Sequence, residues 1–447
     1  MTSSIVHSFS KAIENCAPIE KLPPELLIAI FTIAVSTAAK RRDFRRAIYI
    51  SHISRRWREV AIHTPELWMN ISLNVCSRKR FALGRLYLDR SLPHPVDVFI
   101  SANRRVYPKA SASVFAEVVD LLLRHFHRCH SLHITALDMN DLVEITNFGS
   151  SMVVTPLLEM LEVTFQGHIL RSLPLPISFR GGTPSLRHIR LDHVLLHWQS
   201  PLLANLTTLE IGRIAPRHRP KYEELRDFFT KASSLRTLIV QSELLRYSSD
   251  PHIPVNSLRS LELAGIYNES TLELAPQIYT PYLVSLAISI NPACPQEIDA
   301  WYLFANLVRD GPTRYPSLIS LSLRDVPTDV LDTNFADAFP TVTQLNITTS
   351  DDLDLVALLF AESVGPLITD DPQACLWPVL QKFRIDGQVH AAALMLTTDR
   401  RTNLGYPLPH LYVQTILASS VTVSIIQEWL AERSWIRYGS IVEGDNP

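Results

Sequence analysis

Pro316-Ser317-Leu318-Ile319-Ser320-Leu321-Ser322-Leu323 is the stretch on which the fold turns. Side chains two residues apart leave a strand on the same side, so Leu321 and Leu323 share one apolar side while Ser320 and Ser322 face the other way. The phrase, loosely Pro-x-Leu-x-x-Leu-x-Leu, recurs along the chain. It reads Pro156-x-Leu158-x-x-Leu161-x-Val163 and Pro184-x-Leu186-x-x-Ile189-x-Leu191, then loses its proline in Leu206-x-x-Leu209-x-Ile211, Leu235-x-x-Leu238-x-Val240, Leu258-x-x-Leu261-x-Leu263 and Leu283-x-x-Leu286-x-Ile288. The proline returns in Pro340-x-Val342-x-x-Leu345-x-Ile347 and Pro378-x-Leu380-x-x-Phe383-x-Ile385, and Cys129-x-x-Leu132-x-Ile134 is a degenerate early copy. A lone strand this short cannot bury its apolar side, whereas stacked neighbours share one core.

Successive copies start between 20 and 38 residues apart. That brackets the leucine-rich-repeat period of about 20–29 residues, with the wider gaps as insertions. The expected fold class is therefore α/β: a curved, leucine-rich-repeat-like solenoid over 72–420, preceded by a short helical domain at 19–71 and a disordered start at 1–18. Leu161, Ile189, Leu209, Leu238, Leu261, Leu286, Leu321, Leu345 and Phe383 should stack in its core. Amphipathic stretches at Val114–Phe126, Tyr222–Phe229 and Ile298–Val308 suit an outer layer of helices. Ile71-Ser72-Leu73 and Pro95–Ile100 read as strands that start the sheet, and Leu411-Tyr412-Val413 as its last. Within 421–447, Val421–Trp435 reads as a capping helix and the remainder as a frayed tail. The asparagine usual later in the repeat consensus is mostly missing, so the array is irregular.

Composition agrees with a folded chain: 47% of the 447 residues are apolar and 8% aromatic. Thirteen glycines are too few for a protein built on phosphate-cradling loops. The five cysteines are scattered, with no CxxC pair, which suits a reducing compartment and no disulfide framework. The opening Met1-Thr2-Ser3-Ser4-Ile5-Val6-His7 lacks a secretory pattern, and no apolar run reaches the roughly 18 residues of a membrane span. A soluble chain in cytoplasm or nucleus is expected. The net charge of −2 hides a split: residues 1–110 hold 18 basic against 8 acidic residues, and the remainder 24 against 36. An N-terminal region that basic is suited to an acidic partner.

That region begins at Ile19-Glu20-Lys21-Leu22-Pro23-Pro24-Glu25-Leu26-Leu27-Ile28-Ala29-Ile30-Phe31. Pro23 and Pro24 suit a first helical turn and Glu25 its positive end. Leu26, Ile30 and Ile33 form one apolar stripe, with Leu27 and Phe31 beside it. A second helical stretch carries Ile50, Ile53 and Trp57 among arginines and runs to Pro65. So short a unit has more apolar surface than it can bury by itself. Leu-Pro-x-Glu-Leu-x-x-x-Ile-Phe, Ile-Ser-Arg-Arg-Trp-Arg-Glu-Val-Ala and Thr-Pro-Glu-Leu-Trp resemble the F-box motif throughout its length, in the dialect of fungal F-box proteins. The resemblance implies that Leu22, Pro23, Leu26, Ile30, Ile53 and Trp57 are adaptor-facing or motif-core positions. It also implies a partner, the small acidic adaptor of SCF-type ubiquitin ligases, with the cullin engaged indirectly. Two departures mark the match. The connection from Phe31 to Ile53 is longer than in the compact motif and carries Lys40-Arg41-Arg42-Asp43-Phe44-Arg45-Arg46, and His52-Ile53-Ser54 replaces the usual approach to the tryptophan block.

Reactive chemistry is not nominated by the remaining residues. His125, His127, His130 and His133 surround Cys129 without zinc-finger spacing. Asp351, Asp352 and Asp354 lack the glycine of a calcium loop and suit a helix N-terminus. Nucleophile-elbow, phosphate-loop and His-Glu-x-x-His patterns are missing. No catalytic residue, metal or cofactor is expected. Residues flanking the core positions of the phrases should instead face a target protein: His188, Arg190, Glu210, Glu262, Ser320, Arg324, Gln344, Asn346, Lys382 and Arg384. Their mixed signs suit protein more than nucleic acid. The expected function is a substrate-recognition subunit of an SCF-type ubiquitin ligase. The alternative is a repeat scaffold that binds proteins without directing ubiquitination.

Overall fold

A computed structural model describes residues 18–40, 43–75, 78–102, 112–146, 154–167, 179, 182–214, 219–241, 244, 252–266, 274–290, 315–326, 333–353, 355–360, 375–419 and 422–443. The chain divides into two compact units, one of Met1–Gly167 with Pro176–Leu186, the other of His168–Leu175 with Arg187–Pro447. Among the described residues they hold sixteen strands, fourteen in the main parallel ladders and two in a separate parallel pair, with helices between them: a mixed α/β fold.

The first unit opens with three helices, α1 (Pro24–Lys40), α2 (Arg46–Ser51) and α3 (Arg55–Ile62). The expected single stretch from Ile50 to Pro65 is two helices. Ser54 is extended (φ −151°, ψ 168°) and its hydroxyl accepts from the Trp57 N–H at 3.2 Å, so the chain starts a new helix there. A turn of 3₁₀ helix, Pro65–Trp68, leads into β1 (Asn70–Asn74). Helix α4 (Arg78–Arg90), β2 (Val96–Ala102), β3 (Cys129–Ala136) and β4 (Met160–Phe165) follow, with the helix Ala112–His125 between β2 and β3. The strands pair in chain order, and Ile71, Val98, Leu132 and Leu161 stand in register with at most 1% of their surface exposed.

In the second unit β5 (His188–Asp192), β6 (Thr208–Ile211) and β7 (Thr237–Val240) begin the ladder. A two-residue pair, β8 (Ile253–Pro254) with β10 (Ile278–Tyr279), stands apart from it. The ladder continues through β9 (Ser260–Ile266), β11 (Ser285–Ile290), β12 (Ser320–Arg324), β13 (Gln344–Asp352), β14 (Lys382–His390), β15 (His410–Ala418) and β16 (Ile436–Glu443). Every pairing in this ladder is parallel, and each strand's neighbours are the ladder strands before and after it in sequence. Parallel neighbours need a crossover on one side, which the inter-phrase segments supply. Ile189, Leu209, Leu238, Leu261, Leu286, Leu321, Leu345, Phe383, Leu411 and Ile436 form one unbroken register row, none more than 6% exposed.

The expected helices at Val114–Phe126 and Tyr222–Phe229 are found as Ala112–His125 and Tyr222–Lys231, whereas 298–308 lies outside the described residues. The C-terminal expectation needs correction: the helix is Val423–Ala431, and what was read as a tail contains β16. Its Ile436 and Tyr438 take the register places of Leu411 and Val413 on β15, so the row is one strand longer than the phrases suggest. Of residues 1–18, expected to be disordered, Pro18 instead opens a turn of 3₁₀ helix (Pro18–Lys21), and 1–17 lie outside the described residues.

Candidate docking surfaces

Helix α1 carries two apolar faces. Leu27, Phe31, Val35 and Ala38 (i, i+4, i+8, i+11) are buried, and the Phe31 ring lies 4.8 Å from that of Trp57. The other stripe is in solvent: Leu26 is 51% exposed, Ile30 40% and Ile33 67%, and Ile53 between α2 and α3 is 61% exposed. Pro23 is exposed and holds the helix start, its carbonyl accepting from the N–H groups of Leu26 (3.1 Å) and Leu27 (3.2 Å). Leu22 is half-buried, and its carbonyl accepts from Arg56 Nη2. Trp57 is half-buried, with an Nε1 shut off from solvent and unpartnered among the described residues. Arg45, Arg46, Arg55 and Arg58 are exposed nearby in sequence, Arg46 paired to Asp43 at 3.3 Å.

The residues expected to face a target lie opposite the buried row of the second unit. One register column runs His188, Thr208, Thr237, Ser260, Ser285, Ser320, Gln344, Lys382. A second runs Arg190, Glu210, Ile239, Glu262, Ala287, Ser322, Asn346, Arg384, and Arg324 stands in a third beside Thr348. Arg324, Lys382 and Arg384 are exposed, the other named candidates half-buried. Several are engaged internally: Arg190 pairs with Glu210 at 3.2 Å, and Glu210 accepts from Gln241 Nε2 at 3.3 Å. Arg384 donates to Asp386 at 2.8 Å and lies 4.5 Å over the Tyr412 ring.

In the first unit the histidines around Cys129 make contacts that the sequence reading did not anticipate. The rings of Phe44 and Phe99 are 4.5 Å apart, those of Phe99 and His133 are stacked nearly parallel at 4.3 Å, and His133 Nδ1 lies 2.7 Å from Glu162 Oε2. Period-two alternation alone would have put Phe99, His133 and Glu162 in one row. His130 sits between Asp97 (3.1 Å) and Glu159 (3.4 Å). Burial pulls the pKa of His130 down, but the hydrogen bonds and charges of those two carboxylates outweigh it and hold the pKa above its ordinary value. Burial pushes the Cys129 thiol up to about 12, so it is an inert core group. Among the described residues no cluster of three or more His, Cys, Asp or Glu could hold a metal ion. A pocket of about 240 Å³ opens between Asp43–Arg45 and Ser72, Leu83, Gly84 and Tyr87, where the Tyr87 hydroxyl donates to the Phe44 carbonyl at 2.6 Å.

Two buried arginines are structural. Arg128 donates to Ser91 Oγ, His94 O and Leu88 O at 2.6–2.9 Å, gathering carbonyls around the end of α4. Arg401 is fully buried and donates to Leu376 O (2.7 Å), Trp377 O (3.0 Å), Tyr406 O (3.2 Å) and the Cys375 thiol (3.1 Å). Burial lowers the pKa of both guanidiniums.

No family profile matches the chain, and no curated protein matches it. Among solved structures, it is similar to a Bacteroides fragilis protein determined by structural genomics. The identity is 11%, over 76% of this chain and 85% of that one, with a TM-score of 0.33. A likeness that distant leaves fold and function to be argued from the residues. Among the described residues, no helix is long and apolar enough to cross a membrane.

Proposed function

We propose that this chain is a substrate-recognition subunit of an SCF-type ubiquitin ligase, an F-box segment joined to a curved leucine-rich-repeat-like solenoid. The carrying observation is the exposed stripe Leu26, Ile30, Ile33 with Ile53, on a helix whose other face already supplies the packing. Large apolar side chains left in water beside an ordered core mark a contact surface. Helix-in-groove contacts are made by such i, i+4, i+7 anchors. Leu22 and Pro23 lead into the stripe, Trp57 lies beneath it against Phe31, and the exposed arginines suit an acidic adaptor. The unbroken register row supports the repeat reading, since each strand buries its apolar side only against its neighbours. A target would meet the opposite columns, and the ligase would work by proximity, with no bond made or broken by this chain.

The test is capture of a purified acidic adaptor, with and without cullin, by the full chain. Leu22→Ala with Pro23→Ala should weaken capture by at least about tenfold, since one anchor is typically worth over 1 kcal/mol. No capture by the unaltered chain, or full-strength capture by the double variant, overturns the reading. Ubiquitin transfer to a captured target then separates a ligase receptor from a scaffold that directs no transfer.

A further inference from the structure

The charges on the polar side of the second unit's ladder are sorted by position. Towards its start that side carries Arg190, Glu210 and Glu262 in one column, with Arg190 paired to Glu210 at 3.2 Å. Across β12 to β16 it carries Arg324, Lys382, Arg384 and Arg437, all exposed. On β12 to β15 the one carboxylate in their register columns, among the described residues, is Asp386.

Asn346, Arg384, Tyr412 and Arg437 form one register row across β13 to β16, and Lys382 stands beside His410 in the row before it. Arg384 is held from two sides: its Nε donates to Asp386 Oδ2 at 2.8 Å, and its guanidinium lies 4.5 Å over the half-buried Tyr412 ring. The terminal nitrogens of Arg384, and the head groups of Arg324, Lys382 and Arg437, have no bonding partner among the described residues. A guanidinium fixed before a ligand arrives loses little freedom when its outward N–H groups take a carboxylate. Strand geometry sets Lys382 about 7 Å from Arg384 along β14 and Arg437 about 10 Å from it, two strands away.

We infer that this patch docks an extended acidic segment of the target protein, its Asp or Glu carboxylates taken by Arg384, Arg437 and Lys382. The inference rests on the reading of these columns as the target-facing side. Carboxylates about three residues apart in an extended chain span the distance from Arg384 to Arg437. The charge pattern favours a short acidic peptide over nucleic acid. The basic patch covers only the last strands, and the same side turns acidic at Glu210 and Glu262, where a long polyanion following the ladder would be repelled. Residues 111–447 carry 24 basic against 36 acidic residues, so no basic track extends the patch.

Hexaglutamate is the probe, coupled to the full chain by a zero-length carbodiimide that joins a carboxylate to a lysine amine in contact with it. Mass spectrometry then reads which lysines are coupled. Lys382 should take the peptide at least about fivefold more than the exposed Lys221 and Lys231, and roughly 1 M salt should remove the preference. Arg384→Ala with Arg437→Ala should cut coupling at Lys382 at least about fivefold, leaving Lys231 and the circular dichroism unchanged. Single-stranded hexathymidylate at equal concentration should not displace the peptide. Coupling at Lys382 no greater than at Lys221 and Lys231, coupling indifferent to the double variant, or displacement by the oligonucleotide overturns the inference. Adaptor capture is read separately: coupling absent with capture intact removes the docking patch and leaves the ligase reading, and capture absent with coupling intact does the reverse.

Discussion

Helix α1 and the strand row of the second unit are built from the same side chains and use them in opposite ways. From Ile189 to Phe383 every leucine, isoleucine and phenylalanine of the row is shut away, and the polar residues between them take the solvent side. On α1, Leu27 and Phe31 are shut away while Leu26 and Ile30, one residue before each, are left in water. A strand has two sides, so strict alternation places each residue in or out. A helix with an apolar stripe wider than its packing partner must leave part of it outside, and that excess is available for a second contact. Apolar character therefore reports stability in one region and carries a spare surface in the other.

Substitutions at matched residue types should separate the two uses. Leu321→Ala, in the middle of the row with neighbours Leu286 and Leu345, removes buried methyls and leaves a cavity. It should lower the unfolding free energy by about 3–4 kcal/mol in urea titrations, with adaptor capture retained under native conditions. Trp57→Ala is intermediate, because the ring is only half-buried against Phe31. We expect about 1–3 kcal/mol of destabilisation together with weaker capture. Leu26→Ala with Ile30→Ala should shift stability by no more than about 0.5 kcal/mol per site, as exposed positions do, yet weaken capture at least about tenfold. If that double variant instead unfolded as readily as Leu321→Ala, the stripe would be a packing surface and the comparison would fail.

The strands were legible because Leu-x-x-Leu-x-Leu is a period-two signal repeated often enough to outweigh chance, and the register row follows from it. β16 was not legible: Gly439 interrupts Ile436-Arg437-Tyr438-Gly439-Ser440-Ile441, and no leucine leads it in. The break at Ser54 was lost under the helical spacing of Ile50, Ile53 and Trp57, although a serine three residues before a tryptophan is an available cap signal. On α1 the sequence shows which residues are apolar, but the choice of inward face depends on what α3 presents to it. Arg128 and Arg401 were invisible for another reason. Arginine is ordinarily a surface residue, and only the fold reveals the carbonyls that each one gathers.

The smallest effect tests whether the polar side of the strands adds anything of its own. His130 on β3 meets Asp97 of β2 at 3.1 Å and Glu159, just before β4, at 3.4 Å, so three neighbouring segments are tied through one imidazole. Its pKa in the folded chain is raised above the unfolded value, so folding favours the protonated ring. The contribution is fully present below the ordinary imidazole value of about 6.5 and fades as pH rises through the folded value. Nearly half of the side chain is exposed, so screening keeps the effect small. His130→Gln keeps a hydrogen-bonding group but cannot carry the charge. The unaltered chain should melt higher than this variant about one pH unit below 6.5, and the gap should close about two units above it. A gap that stays constant across that range, or widens towards high pH, would mean that shape and hydrogen bonding hold these segments together and that charge does not.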